Sequence, residues 1–165
     1  MSADGPNTNE NRQEIGKSPP RLMAQRAVKG RGRYVDDLTL PRVLEIAFVR
    51  SPFAHANIEY IDSEEAKALP GVKTVITGTE ITKRMMPWTG IMENQPALRS
   101  PPQYAMAVDR ALWQGEPVAA VVASSRAIAE DAAEKVKISW KELPASTDML
   151  TALDPKSTVV HGEFG

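Results

Sequence analysis

FVRSPFAHANI, Phe48 to Ile58, sets an arginine, a proline and one of the chain's two histidines in quick succession. His55 is a residue type that works as a general base, but a base needs a partner to orient it and a pocket to work in. Asp36, Asp37 and Asp62 are acids that could supply the partner. Arg50 could grip a carboxylate or a phosphate. The same residues also have a structural reading, which the sequence favours: Pro52 ends one strand, and Arg50 and His55 hydrogen-bond to backbone at the bend. Glu116, in QGEPVAA, is a carboxylate set just before an apolar strand. Burial there would raise its pKa, though capping or pairing is the simpler role.

Other chemistries are excluded by residue type. IGKS, Ile15 to Ser18, fails as a phosphate-binding loop, because Asn11 stands where the first glycine belongs and Pro19–Pro20 follow where a helix should start. Cysteine is absent, which rules out a disulfide, a thiolate zinc site, a cysteine nucleophile and an iron–sulfur cluster held by this chain. His55 and His161 are far apart in sequence, without metal-ligand spacing. Twenty basic residues stand against twenty-one acidic ones in 165 residues, so no overall field favours nucleic acid or an anionic membrane. Arg31 and Arg33, in GRGRY, fit a tight glycine turn into the first strand better than RNA binding. No apolar run approaches the roughly 18 residues of a membrane span, and Met1–Pro20 lacks signal-peptide order. The expectation is a soluble, cytoplasmic protein.

The elements that must position these groups follow from periodicity. Residues 1–28 are polar and aperiodic, an arm that is disordered alone or laid over a partner. Leu44, Ile46 and Phe48 alternate with Glu45, Ala47 and Val49 as in a strand, and Asn57–Ile61 alternates again. Asp62 with Glu65 is a capping pair for a short helix, SEEAKAL, which Pro70–Gly71 stops. VKTVIT, Val72–Thr77, is the next strand, so the first half is β-β-α-β. In the second half, PVAAVVA, Pro117–Ala123, is a continuous apolar run, expected of a strand covered on both faces. Ser124 or Ser125 caps the helix after it, where Ala129, Ala132, Ala133 and Val136 form a stripe that permits close approach to a sheet. Val136, Ile138 and Trp140 then alternate as a strand. Strand, crossover and strand predict a right-handed βαβ unit around a mixed sheet, in an α+β or α/β fold. Between the halves, residues 83–104 hold four prolines, three methionines and a tryptophan with no sustained period. Loops this long are usually functional, and this one's apolar residues need cover.

GRGRYVDDLTLPRVLEIAFVRSPFAHANIEYID (30–62), LPGVKTVITGTEI (69–81) and GEPVAAVVASSRAIAEDAAEKVKISWKELPA (115–145) together resemble the a/b hammerhead domain of the xanthine dehydrogenase/aldehyde oxidase family. IGKSPPR is similar to that family's lead-in and VVHGEFG to its exit, so the likeness spans about residues 15–165. The resemblance implies an arm over 1–28, a hammerhead domain over 29–155 and an exit segment over 156–165.

In that family the hammerhead opens the molybdenum-bearing subunit of hydroxylases acting on aldehydes, purines, N-heterocycles or carbon monoxide. The molybdopterin-binding loops and the essential glutamate follow beyond the stretch matched here. The resemblance therefore implies a chain without catalytic, cofactor-binding or metal residues of its own, inactive alone. Its partners would be a separate molybdopterin-binding large subunit and an iron–sulfur subunit, with flavin (FAD) or another acceptor on a further subunit. A split subunit is expected over an excised domain. The alternative is a free-standing small-molecule binding or assembly module with the same fold. The segment between the hammerhead halves can line the family's substrate funnel, which makes Trp88, Ile91 and Met92 channel candidates. Met85, Met86, Leu98, Tyr104 and Phe164 are candidates for the partner interface, and interface packing also remains open for the channel set.

Overall fold

The computed structural model describes residues 16–18, 20–21, 23–92, 94–95 and 97–162. They fall into two compact units, one up to Pro41 and one from Arg42 onward. Phe164 lies outside the described residues, as does most of the arm.

In the first unit a five-residue helix, α1 (Ala24–Val28), ends on Gly30. Gly30 has φ +66°, its amide bonds Ala27 and the Arg31 amide bonds Arg26. This is the paired closure of a helix terminated by a left-handed glycine. The glycine expected to turn the chain into a strand instead stops a helix. A short 3-10 turn at Val35–Asp37 follows, held by the Asp37 carboxylate accepting from the Tyr34 amide at 2.9 Å.

The second unit contains β1 (Glu45–Arg50), β2 (Ala56–Asp62), α2 (Glu64–Lys67), β3 (Val72–Thr77), α3 (Gly78–Ile81), β4 (Arg110–Ala111), β5 (Pro117–Ala123), α4 (Arg126–Ala133) and β6 (Lys137–Glu142). The strands form two three-stranded sheets, β1-β5-β3 and β4-β2-β6, and every pairing is antiparallel. The β-β-α-β order is as expected, and the architecture is α+β. The mixed sheet with a βαβ unit is not formed. Both edges of β5 are taken, by β1 and β3, so the chain leaving α4 finds no free edge beside β5. It pairs with β2 instead, and β5 and β6 lie in different sheets.

Two small-residue surfaces make the core. Ser125 caps α4, its Oγ accepting from the Ile128 amide at 3.4 Å. Ala129 and Ala132 are fully buried on the helix, and Ala132 packs with Ala119, Val121, Val75, Ala66 and Val136. Ile61 and Ile138 of the second sheet complete this cluster. The register pairs Val49 with Ala119, and both Ala47 and Val75 with Val121, on this inner face. The alternation in β1 thus turns its smaller side chains inward. Its larger ones, Ile46 and Phe48, pair with Val122 and Ala120 on the opposite face and remain about half exposed.

Asp62 and Glu65 do not form the expected capping pair. Asp62 accepts from the Glu64 amide at 3.1 Å, while Glu65 turns to Lys137 at 2.7 Å and Lys135 at 3.7 Å. Two lysines outcompete a backbone amide for an exposed carboxylate, and the hydrogen bond from Lys137, with the positive charge of both lysines, holds Glu65 below the usual carboxylate range.

Gly78, buried at the start of α3, touches the chain just before β4. A Cβ built there would sit 1.9 Å from the Ala107 carbonyl oxygen, a contact that rigid backbone cannot relieve. Gly78→Ala is therefore expected to cost about 1–3 kcal/mol, read as a lowered midpoint in thermal or urea unfolding. An unchanged midpoint would show that the 105–108 segment yields freely.

Candidate functional site

The corner after β1 is a structural staple. Arg50 Nη1 donates to the Gly115 carbonyl at 2.9 Å, and its guanidinium lies 5.5 Å from the centre of the Phe48 ring. Ser51 exchanges backbone bonds with the loop before β5, its amide donating to Glu116 O and its carbonyl accepting from Gly115 N. Its hydroxyl closes a local turn with Phe53. His55 is buried, with Nδ1 2.7 Å from the Pro144 carbonyl oxygen. A carbonyl only accepts, so Nδ1 carries the proton. Nε2 is buried with no partner among the described residues. Among the described residues no acid bonds the ring, and Asp62 is at the far end of β2. Arg50 and His55 tie the corner to the loop before β5 and to the chain after β6.

Residues 83–104 close on themselves. Trp88 and Gln103 exchange both backbone hydrogen bonds, at 2.8 and 2.7 Å. Further out, the Gly90 amide donates to Ser100 Oγ at 3.0 Å. These two rungs pinch the connector into a closed loop and leave apolar groups outside. Met86 and Ile91 are 91% and 86% exposed, and Met85, Trp88, Met92 and Leu98 are exposed as well. Several large apolar side chains of one segment are thus left uncovered.

The returning arm of this loop borders a cleft of about 780 Å³. Pro101, Gln103 and Tyr104 form one wall. Arg110, Trp113 and Glu116, on the approach to β5, form another, with Asn57 of β2 and His161 completing it. Glu116 is buried and its Oε2 accepts from the Leu112 amide at 2.6 Å. Burial pushes its carboxyl above the ordinary range, against the opposing pull of the Leu112 and Trp113 amides and of His161. Capping of the tight turn and a raised pKa are both present. Of the cleft residues, Trp113, Arg110, Asn57 and His161 gave no sequence signal, since only the topology brings them together. Among the described residues, no group of three or more His, Cys, Asp or Glu side chains is placed to hold a metal ion.

Residues 29–144 match the family model for the aldehyde oxidase and xanthine dehydrogenase a/b hammerhead domain. The chain belongs to this family. It is 36% identical over 155 residues to the carbon monoxide dehydrogenase large chain of Afipia carboxidovorans, covering 94% of this chain and 18% of that one. It is 33% identical over 145 residues to the xanthine dehydrogenase molybdenum-binding subunit of Escherichia coli O157:H7, covering 86% and 19%. Among solved structures, quinoline 2-oxidoreductase from Pseudomonas putida 86 superposes with a TM-score of 0.77 at 42% identity, over 87% of this chain and 18% of that one. The chain thus spans under a fifth of each relative's length. The hammerhead assignment and the α+β architecture expected from sequence hold together.

The hammerhead fold sets the channel candidates Trp88, Ile91 and Met92 on the pinched loop, with Trp88 at its base and Ile91 and Met92 toward its tip. Met85 and Met86 precede the pinch and Leu98 lies within it, whereas Tyr104 faces the cleft.

The raised pKa of Glu116 has a definite sign. Its proton is held more tightly in the fold than in the unfolded chain, where the ordinary value is near 4.5. The neutral form's contribution is complete below that value and is lost as pH rises through the raised one. Glu116→Gln keeps an acceptor for the Leu112 amide and removes the charge. Between pH ~4 and ~8 the variant's melting temperature is expected to fall less than the parent's, as followed by circular dichroism. A steeper fall in the variant would mean that the carboxylate is stabilised as the anion.

Proposed function

We propose that this chain is a non-catalytic structural and substrate-channel subunit of a heteromeric molybdenum hydroxylase, working in the cytoplasm with a separate molybdopterin-binding chain. An iron–sulfur subunit and an FAD-bearing or other acceptor subunit complete the assembly. The hammerhead body covers residues 29–155, with an arm before it and an exit segment after it that meets the partner. Substrates of the class are aldehydes, N-heterocycles or related molecules. The observation that supports this reading is the pinched connector, which keeps several large apolar side chains uncovered. The Trp88–Gln103 backbone pair and the Gly90–Ser100 bond hold Ile91 and Met92 in water, and Met86 beside them is exposed too. The outer face of the first sheet agrees, since Ile46 and Phe48 are about half exposed and would each gain roughly 1 kcal/mol from full cover.

Within the assembly, Ile91 and Met92 would select substrates by shape and desolvation, an effect worth roughly 1–3 kcal/mol per methylene-scale misfit. Methionine makes such a wall adaptable. Met85, Met86, Leu98 and Tyr104 pack on the partner. The cleft beside Tyr104 and Trp113 favours the second reading, a free-standing small-molecule module, which requires ligand binding by the chain alone.

Purification from the native source is expected to yield the chain with a larger polypeptide and stoichiometric molybdenum. A stable, metal-free monomer would contradict the assignment. In the assembly, Ile91→Ala and Met92→Ala are expected to shift relative turnover of large and small substrates by about 5- to 100-fold, with molybdenum content unchanged. Loss of the partner in these variants would make both residues interface and not channel.

A further inference from the structure

The near-neutral total charge hides a local imbalance. Between Lys17 and Arg33 stand six cations, Lys17, Arg21, Arg26, Lys29, Arg31 and Arg33, with no acid among them. The other fourteen Lys and Arg face all twenty-one Asp and Glu, leaving the rest of the chain at −7. All six cations are exposed. None forms an ion pair with another described residue, and the side-chain bond recorded for the set is Arg26 Nε donating to the Arg31 carbonyl at 2.9 Å. Like charges at this density repel one another unless an anionic surface faces them.

What lies between and after the cations identifies the kind of surface. Met23 and Val28 alternate with them, and Tyr34, Val35, Leu38 and Leu40 follow, all more than half exposed. A nucleic-acid backbone neutralises cations but gives aliphatic side chains no cover. A membrane surface would meet the Asp36–Asp37 pair amid the apolar residues, and α1, at five residues, is too short to lie in an interface as an amphipathic helix. A protein face with carboxylates around an apolar strip satisfies both sets at once.

We infer that the six cations, with Met23, Val28, Tyr34, Val35, Leu38 and Leu40, form an electrostatic docking strap, recognised by an acidic, apolar-centred face of the molybdenum-bearing partner chain. The inference rests on the assignment proposed above and adds to it which segment is recognised and by what chemistry. The cations steer the encounter and the apolar residues hold the contact, so association must weaken as salt screens the charges.

The test measures binding of the full chain to the co-purifying molybdenum-bearing chain from about 50 to about 500 mM NaCl. The triple reversal Lys29→Glu, Arg31→Glu, Arg33→Glu spares the Arg26 hydrogen bond. It is expected to weaken binding about 10- to 100-fold at low salt and to flatten the salt dependence. The corresponding glutamines should fall between. Reversals of equal charge elsewhere, Lys73→Glu, Lys141→Glu and Lys156→Glu, should leave the slope in place, and circular dichroism checks that each variant is folded. Partner binding with an unaltered slope in the first variant overturns the strap while leaving the subunit assignment standing. A wild-type chain that never binds the molybdenum-bearing chain overturns both. Tighter binding to single-stranded RNA or phosphatidylserine vesicles than to the partner, lost in the first variant, would reassign the cations to a polyanion or a membrane.

Discussion

Alanine against alanine is the contact on which the rest of this unit depends. Ala132 of α4 packs with Ala119 and Val121 of β5 and with Val49 of β1. Small side chains on both surfaces let the helix lie close to the sheet, and dispersion contacts made at that range are what the core gains. The arrangement also dictates the far side. With one face of β1 reserved for small residues, its bulk, Ile46 and Phe48, must stand on the other. The first sheet is therefore apolar on both faces, and one of them is only half covered.

Local elements were legible because each has a local cause. Val72–Thr77 and Pro117–Ala123 are strands from β-branched and apolar runs between turn residues, and Ser125 caps α4 as its position before the alanine stripe requires. The partition of strands into two sheets was not legible. It depends on β3 returning to β5 and occupying the edge that β6 would have used, and no short-range pattern records that. Asp62 and Glu65 show the same limit at smaller scale. Their spacing suits a cap, but Lys135 and Lys137, distant in sequence, capture the glutamate.

The candidate site divides along the same line. The apolar, aperiodic character of residues 83–104 marked the connector as unusual, while the rungs at Trp88–Gln103 and Gly90–Ser100 that shape it came only with the fold. Glu116 could be singled out by its place before β5; Trp113 and His161, which share its cleft, could not. Arg50 and His55, the residues with the most chemical promise in sequence, serve the corner of the fold. Under the function proposed above, the surface that matters is the apolar one, and its role depends on what covers it.

The most direct measurement of that cover is oxidative footprinting of Met85, Met86 and Met92, read by mass spectrometry, on the assembly as isolated and on the same chain freed from it. Cover by a second polypeptide predicts oxidation several-fold slower in the assembly, with Met86 and Met92 most protected. Equal rates in both states would mean that these side chains stay in water throughout, and that the connector is not where this domain meets a partner.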